Sequence, residues 1–151
     1  MNAPSAVTVS VEIAASPQHV WSILEPVERH VDWMADAVAI RFESEQERGV
    51  GTTFLCDTRI GPITLTDRME ITEWVPEHAM GVRHSGIVTG TGVFTLESLA
   101  GGTRTRFTWS ETLDFPWYLG GRIGEVVAGR FVLGPLWRRN LKRLKTLIES
   151  P

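Results

Sequence analysis

The chain is poor in cysteine and tyrosine and has no long apolar run. Cys56 is the single cysteine. No internal disulfide can form, and a reducing compartment is the simpler expectation. No apolar stretch approaches the ~20 residues that span a bilayer, so no integral membrane segment is expected. Met1 to Ala6 carry neither a basic nor an apolar leader region, which points to a cytoplasmic protein. Positive charge has no surplus either: 15 Lys and Arg stand against 18 Asp and Glu, a net charge of -3. That balance offers no general attraction to nucleic acid or to anionic membranes. None of the His residues are paired at i, i+4 on a helix and no second Cys exists, so no metal site is expected. A phosphate-binding loop and a Gly-x-Ser-x-Gly elbow are both missing. Gly90-Thr91-Gly92 is followed by no helix, so a dinucleotide motif fails there. No cofactor is called for.

No repeat, low-complexity tract or internal linker divides the 151 residues. They suit one domain spanning residues 1–151, of a size that buries roughly two thirds of its surface. Tryptophan is the enriched residue, with 6 against 1 Tyr. Such large amphipathic rings fill cores or line pockets.

Val7, Val9, Val11 and Ile13 alternate with polar residues, the period of a half-buried strand. Ser16-Pro17 then supplies an N-cap and a first helical residue. The helix carries Val20, Trp21 and Leu24 on one face and stops at Pro26. A second short helix is expected over Val27 to Asp32. Six strands follow: Val38 to Phe42, Thr52 to Arg59, Ile63 to Val75, His78 to Ser85, Val88 to Leu99 and Thr103 to Asp114. Turns at Gly49-Val50-Gly51, Gly61-Pro62, Pro76-Glu77 and Gly101-Gly102 separate most of them. Such short connections imply an antiparallel meander. From about Leu119 to Glu149 the apolar residues follow a helical period, with a kink or a helix junction expected at Gly134-Pro135. This is an α+β pattern. Seven antiparallel strands have one face to bury, and only the long C-terminal helix is large enough to cover it.

Several segments carry a resemblance. They are Ser16-Pro17-Gln18-His19-Val20-Trp21, His30-Val31-Asp32-Trp33 and Ile71-Thr72-Glu73-Trp74-Val75-Pro76. Gly101-Gly102-Thr103-Arg104-Thr105 and Leu141-Lys142-Arg143-Leu144-Lys145 complete the set. Over nearly its whole length the chain resembles the START-like (SRPBCC) superfamily, the helix-grip fold. Within it the chain is similar to the bacterial branch named after polyketide cyclases and dehydrases. The resemblance implies a curved sheet gripping the C-terminal helix around a hydrophobic pocket. It also implies that Trp33 and Met34 border the pocket mouth. Members include lipid carriers, metabolite binders, aromatic cyclases and co-chaperones, so function has to be argued from the site.

Strand parity identifies the residues that face the helix. Ile63, Leu65, Met69 and Ile71 are in phase with Asp67. Met80 and Val82 are in phase with His84. Phe107, Trp109 and Leu113 are in phase with Glu111. Asp67, His84 and Glu111 are therefore the candidate acid–base residues, one on each of three strands. If Pro76-Glu77 is a hairpin tip, His84 falls opposite Met69, and Asp67 is a diagonal neighbour roughly 7–8 Å away. Glu111 lies two strands off, roughly 10 Å from His84, and is expected to face the pair across a ligand. Phe54, beside Cys56, and Phe94 extend the apolar wall. Gly90 and Gly92 share the parity of Phe94, where a missing side chain creates volume or marks a bulge. Ile123, Val127, Phe131 and Arg130 are expected to look down from the helix. Arg138, Arg139, Lys142, Arg143 and Lys145 read as a solvated helix face.

Three functions fit these residues. The first is binding of a small hydrophobic or aromatic metabolite or a lipid. The second is a polyketide cyclase- or dehydratase-like reaction, with His84 moving a proton, Asp67 orienting the imidazole and Glu111 acting as a second acid or base. The third is a protein-interaction role. Nothing in the sequence sets an oligomeric state.

Overall fold

The alternation of β-branched and polar residues becomes strands wherever it occurs. The computed structural model describes residues 6–121, 124 and 129–151, without the side chains of residues 119, 129 and 130. Strand β1 (Ala6–Ile13) leads to helix α1 (Pro17–Leu24) and a 3-10 segment, Val27–Asp32. Strands β2 (Ala37–Phe42), β3 (Thr53–Ile60), β4 (Ile63–Val75), β5 (Ala79–Ser85), β6 (Thr89–Leu99) and β7 (Arg104–Asp114) follow. Helix α2 (Gly134–Glu149) closes the chain. Each strand boundary falls within a few residues of the one expected from turn chemistry, whereas the helix start expected near Leu119 leads into a stretch partly outside the described residues. The Ser16 hydroxyl accepts the His19 amide hydrogen, and Pro17 fills the first turn of α1, where its missing N–H is no loss.

The strands form one seven-stranded sheet in the order β1-β7-β6-β5-β4-β3-β2, every neighbour antiparallel. Six strands follow one another as a meander. β1 instead pairs with the last strand, so α1 and the 3-10 segment carry the chain from one edge of the sheet to the other. Register shifts between Ile71 and Glu73 in β4 and between Ala37 and Ala39 in β2 bend the sheet. Its concave face holds the core.

Helix α2 lies on that face. Trp137, Leu141, Leu144 and Ile148 are buried along one stripe, as the 3.6-residue period requires. The helix begins immediately after a π-helical turn, Gly129–Leu133, with Pro135 in its first turn. The junction expected at Gly134-Pro135 is therefore a change of winding, from five-residue to four-residue hydrogen bonding. No helix among the described residues is long and apolar enough to cross a membrane.

One polar side chain sits in the apolar stripe. Asn140 is fully buried. Its Oδ1 accepts the Ala35 amide hydrogen at 3.0 Å, and its Nδ2 donates to Asp36 Oδ1 at 2.6 Å. It fastens the helix to the segment entering β2. Asn140→Ala orphans the Ala35 N–H and the Asp36 carboxyl together. Urea denaturation is expected to show a loss of about 2–3 kcal/mol. A loss below about 0.5 kcal/mol would mean that water replaces the amide without penalty.

Candidate functional site

A cavity of about 170 Å³ lies between the concave face and α2. Its floor is apolar: Phe54, Leu65, Met69, Val82, Phe94 and Trp109 all line it. Met34 lines it from the segment before β2, and Leu133 and Trp137 from the helical side. The Trp109 and Trp137 rings stack with centroids 4.6 Å apart, at 16° between planes. That stack joins the last strand to the helix.

The polar end is built from three strands. β4 supplies Asp67, β5 His84 and β7 Glu111, and all three line the cavity. Met69 pairs with His84 across the β4–β5 ladder, which sets Asp67 diagonally beside the imidazole. Asp67 Oδ2 lies 2.8 Å from His84 Nδ1. Glu111 lies nearer than the strand spacing implies, with Oε2 3.6 Å from His84 Nε2. The expectation that Glu111 faces the pair across a ligand is corrected by this contact. The reason is Gly92, which pairs with both Val82 and Glu111 on the intervening strand. A Cβ at Gly92 would stand 2.7 Å from Glu111 Cγ and 2.8 Å from its Oε1. The volume left by the missing side chain is filled by Glu111, which crosses over β6 to reach His84. Gly86 does the same for Asp67, since a Cβ there would stand 2.5 Å from Oδ1. Trp109 Nε1 donates to Glu111 Oε1 at 3.0 Å and fixes the carboxylate's second oxygen toward the imidazole.

Burial by itself lowers the His84 pKa, but the bonds to Asp67 and Glu111 and their charges outweigh it and hold the imidazole up at about 10. His84 is thus an imidazolium at neutral pH, clasped by two carboxylates. His30, which also lines the cavity, goes the other way. Full burial pulls its pKa down to about 4, against the opposing pull of the Leu24 carbonyl and the Glu28 charge. Its Nε2–H donates to Leu24 O at 2.8 Å, and the ring is neutral. Burial raises the Asp36 carboxyl, the Asn140 bond lowers it, and the Glu111 charge raises it further. Burial also pushes the Cys56 thiol up to about 11, which leaves it a poor nucleophile in the wall.

Other expected wall residues lie elsewhere. Trp33 is fully buried outside the cavity wall, packed edge-on against Phe107 and Trp109. The 3-10 segment turns its ring into the core instead of leaving it at a mouth. Gly90 is also not in the wall. Its φ of +139° and the close approach of the Thr112 carbonyl mark a backbone contact that only glycine accepts. Phe131 is 67% exposed and does not line the cavity, whereas Leu133 does. A π-helical turn shifts the phase of a face extrapolated at 3.6 residues. Ile123 and Val127 lie outside the described residues, as does the side chain of Arg130. Sequence reasoning missed His30, Asp36 and Asn140. Asn140 left a signal, a polar residue in step with Trp137, Leu141 and Leu144 on an apolar stripe.

The family model described as polyketide cyclase / dehydrase and lipid transport matches residues 5–149, and the chain belongs to that family. No curated protein matches it. Its fold is similar to that of the Zhui aromatase/cyclase from Streptomyces, at 17% identity and a TM-score of 0.73, covering 96% of this chain and 93% of that one. It is also similar to TTHA0849 from Thermus thermophilus, at 16% identity and a TM-score of 0.73, covering 95% and 97%. The di-domain ARO/CYC BexL matches at 15% identity and a TM-score of 0.74, over 97% of this chain and half of that one. At such identities the likeness is one of fold.

Two tests follow from the charged cluster. The raised His84 pKa stabilises the fold fully below its ordinary value of 6.5, and the contribution is lost as pH rises to about 10. Asp67→Asn is expected to destabilise by about 1–3 kcal/mol at pH 6, with the gap to wild type closing toward pH 10 in urea titrations. A gap independent of pH would mean that Asp67 does not act through the imidazolium. Gly92→Ala is expected to push Glu111 aside and lower the His84 pKa measured by NMR titration. An unchanged pKa would mean that Glu111 contributes little to it.

Proposed function

We propose that this chain binds a small apolar or aromatic molecule in the cavity between the sheet and α2. The observation that carries this reading is the cavity's composition: an apolar wall closed at one end by a single ordered cluster of polar groups. That is the arrangement with which binding sites take up apolar surface and orient it. The aromatic pair Trp109 and Trp137 adds a flat face against which a ring can pack. Membership of a family described by lipid transport as well as cyclase and dehydrase activity agrees with it.

The second reading is acid–base catalysis on a polyketide-like substrate. It is favoured by the 2.8 Å Asp67–His84 contact and by the aromatase/cyclase names of two structures with this fold. The protonation state weighs against it. An imidazolium with a pKa of about 10 has no lone pair to offer at neutral pH and releases its proton reluctantly. The cluster suits orientation of a bound molecule better than proton abstraction.

Mass spectrometry of the purified protein, native and then denatured, tests the binding reading. The expected result is a released compound of low polarity. Val82→Phe, which pushes a ring into the cavity, is expected to abolish its retention while the protein stays folded by circular dichroism. Retention unchanged in Val82→Phe would show that the compound sits elsewhere and would refute the cavity reading.

A further inference from the structure

His30 lines the cavity from the 3-10 segment, apart from the charged cluster. Its ring packs against Phe94, with centroids 5.9 Å apart and 55° between planes. Phe94 stands two residues along β6 from Gly92, the position that Glu111 crosses, a step of roughly 7 Å on the strand. His30 thus meets the apolar wall at a separate point.

One of its ring nitrogens is committed to structure. Leu24 ends α1, and the last carbonyls of a helix lack partners within it. His30 Nε2 donates to the Leu24 carbonyl at 2.8 Å. A carbonyl only accepts, so the hydrogen sits on Nε2. Burial holds the pKa at about 4, against the Leu24 bond and the Glu28 charge, so the ring carries no second hydrogen at neutral pH. Nδ1 is therefore a bare lone pair. The structural role of Nε2 leaves it unexplained.

That lone pair has no hydrogen-bond partner among the described residues. His30 is only 5% exposed, yet Nδ1 is not walled in as His84 Nε2 is. Its open side is the cavity, which the ring lines. A ligand that covers Nδ1 with apolar atoms leaves a buried acceptor unpaired and loses affinity. One that brings an O–H or N–H to it makes the bond. Size sets the rest: a cavity of about 150 Å³ holds one benzene ring, and this one is about 170 Å³.

We propose that the ligand is a single-ring molecule carrying a hydroxyl or N–H that donates to His30 Nδ1, so that His30 selects among apolar ligands by their donor. The proposal rests on the cavity-binding reading above and deepens it.

Pyrrole and thiophene are aromatic rings of nearly the same shape. Pyrrole has an N–H that donates, and thiophene has no donor. NMR titrations of each into the protein at pH 7 separate the two levels of the argument. Pyrrole is expected to bind about tenfold tighter, the scale of one buried acceptor satisfied or left unpaired. The nitrogen resonance of His30 Nδ1 is expected to shift with pyrrole, as a lone pair does on accepting a hydrogen bond, and to stay in place with thiophene. In His30→Phe a ring still packs against Phe94 but the acceptor is gone. The preference for pyrrole is expected to fall to within about twofold while thiophene still binds. If that variant does not fold, the wild-type Nδ1 resonance decides by itself. Equal binding of the two rings by the wild type would overturn the donor proposal and leave the cavity reading standing. A pyrrole preference that survives in His30→Phe, or an Nδ1 resonance that pyrrole does not move, would overturn it as well. Binding of neither ring would overturn both.

Discussion

A buried imidazolium held between two carboxylates organises this molecule. Desolvating three ionised groups is expensive, and their mutual attraction compensates only where geometry is tight. Here the geometry comes from backbone, through the two glycines that let carboxylate side chains lie across neighbouring strands. A side chain at Gly92 or Gly86 would occupy the space that Glu111 or Asp67 needs. The sheet is thus built around the cluster as much as the cluster is carried by the sheet. Removing one member leaves the other charges buried without compensation, so the three behave as one unit.

Away from the cluster, polar groups are neutralised in other ways. His30 is stripped of charge by burial, and its Nε2–H donates a hydrogen bond to the Leu24 carbonyl. Asp36 is drawn toward its neutral form and tied to Asn140 on the helix. Two histidines of the same cavity thus differ in charge, one a cation and the other neutral. The difference is the presence of carboxylates within contact of one ring and their absence from hydrogen-bonding range of the other. The outcome is a mostly apolar cavity in which Asp67, His84 and Glu111 gather into one cluster.

The family is described by cyclase and dehydrase chemistry and by lipid transport, so one fold carries more than one role. A histidine poised near neutrality moves protons, while one clamped far above it holds a fixed charge. His84 belongs to the second kind. Asp67 fixes its ring and Trp109 fixes the neighbouring Glu111 carboxylate.

By itself the sequence determined the order of elements, the antiparallel meander, the covering helix, and the inward parity of Asp67, His84 and Glu111. These are local properties. Alternation with a period of two, turn residues at fixed offsets and a helical stripe are legible without knowing what lies opposite. Even the Asp67–His84 contact follows from one hairpin tip at Pro76-Glu77. What lay beyond a single hairpin did not. That Glu111 reaches His84 depends on an empty position on the strand between them. That Leu133 and not Phe131 meets the cavity depends on a π-helical turn that breaks the 3.6-residue phase. That Trp33 is core and Asn140 a clamp depends on where the helix comes to rest. Only the tertiary structure decided these, because each rests on close packing between segments distant in the chain.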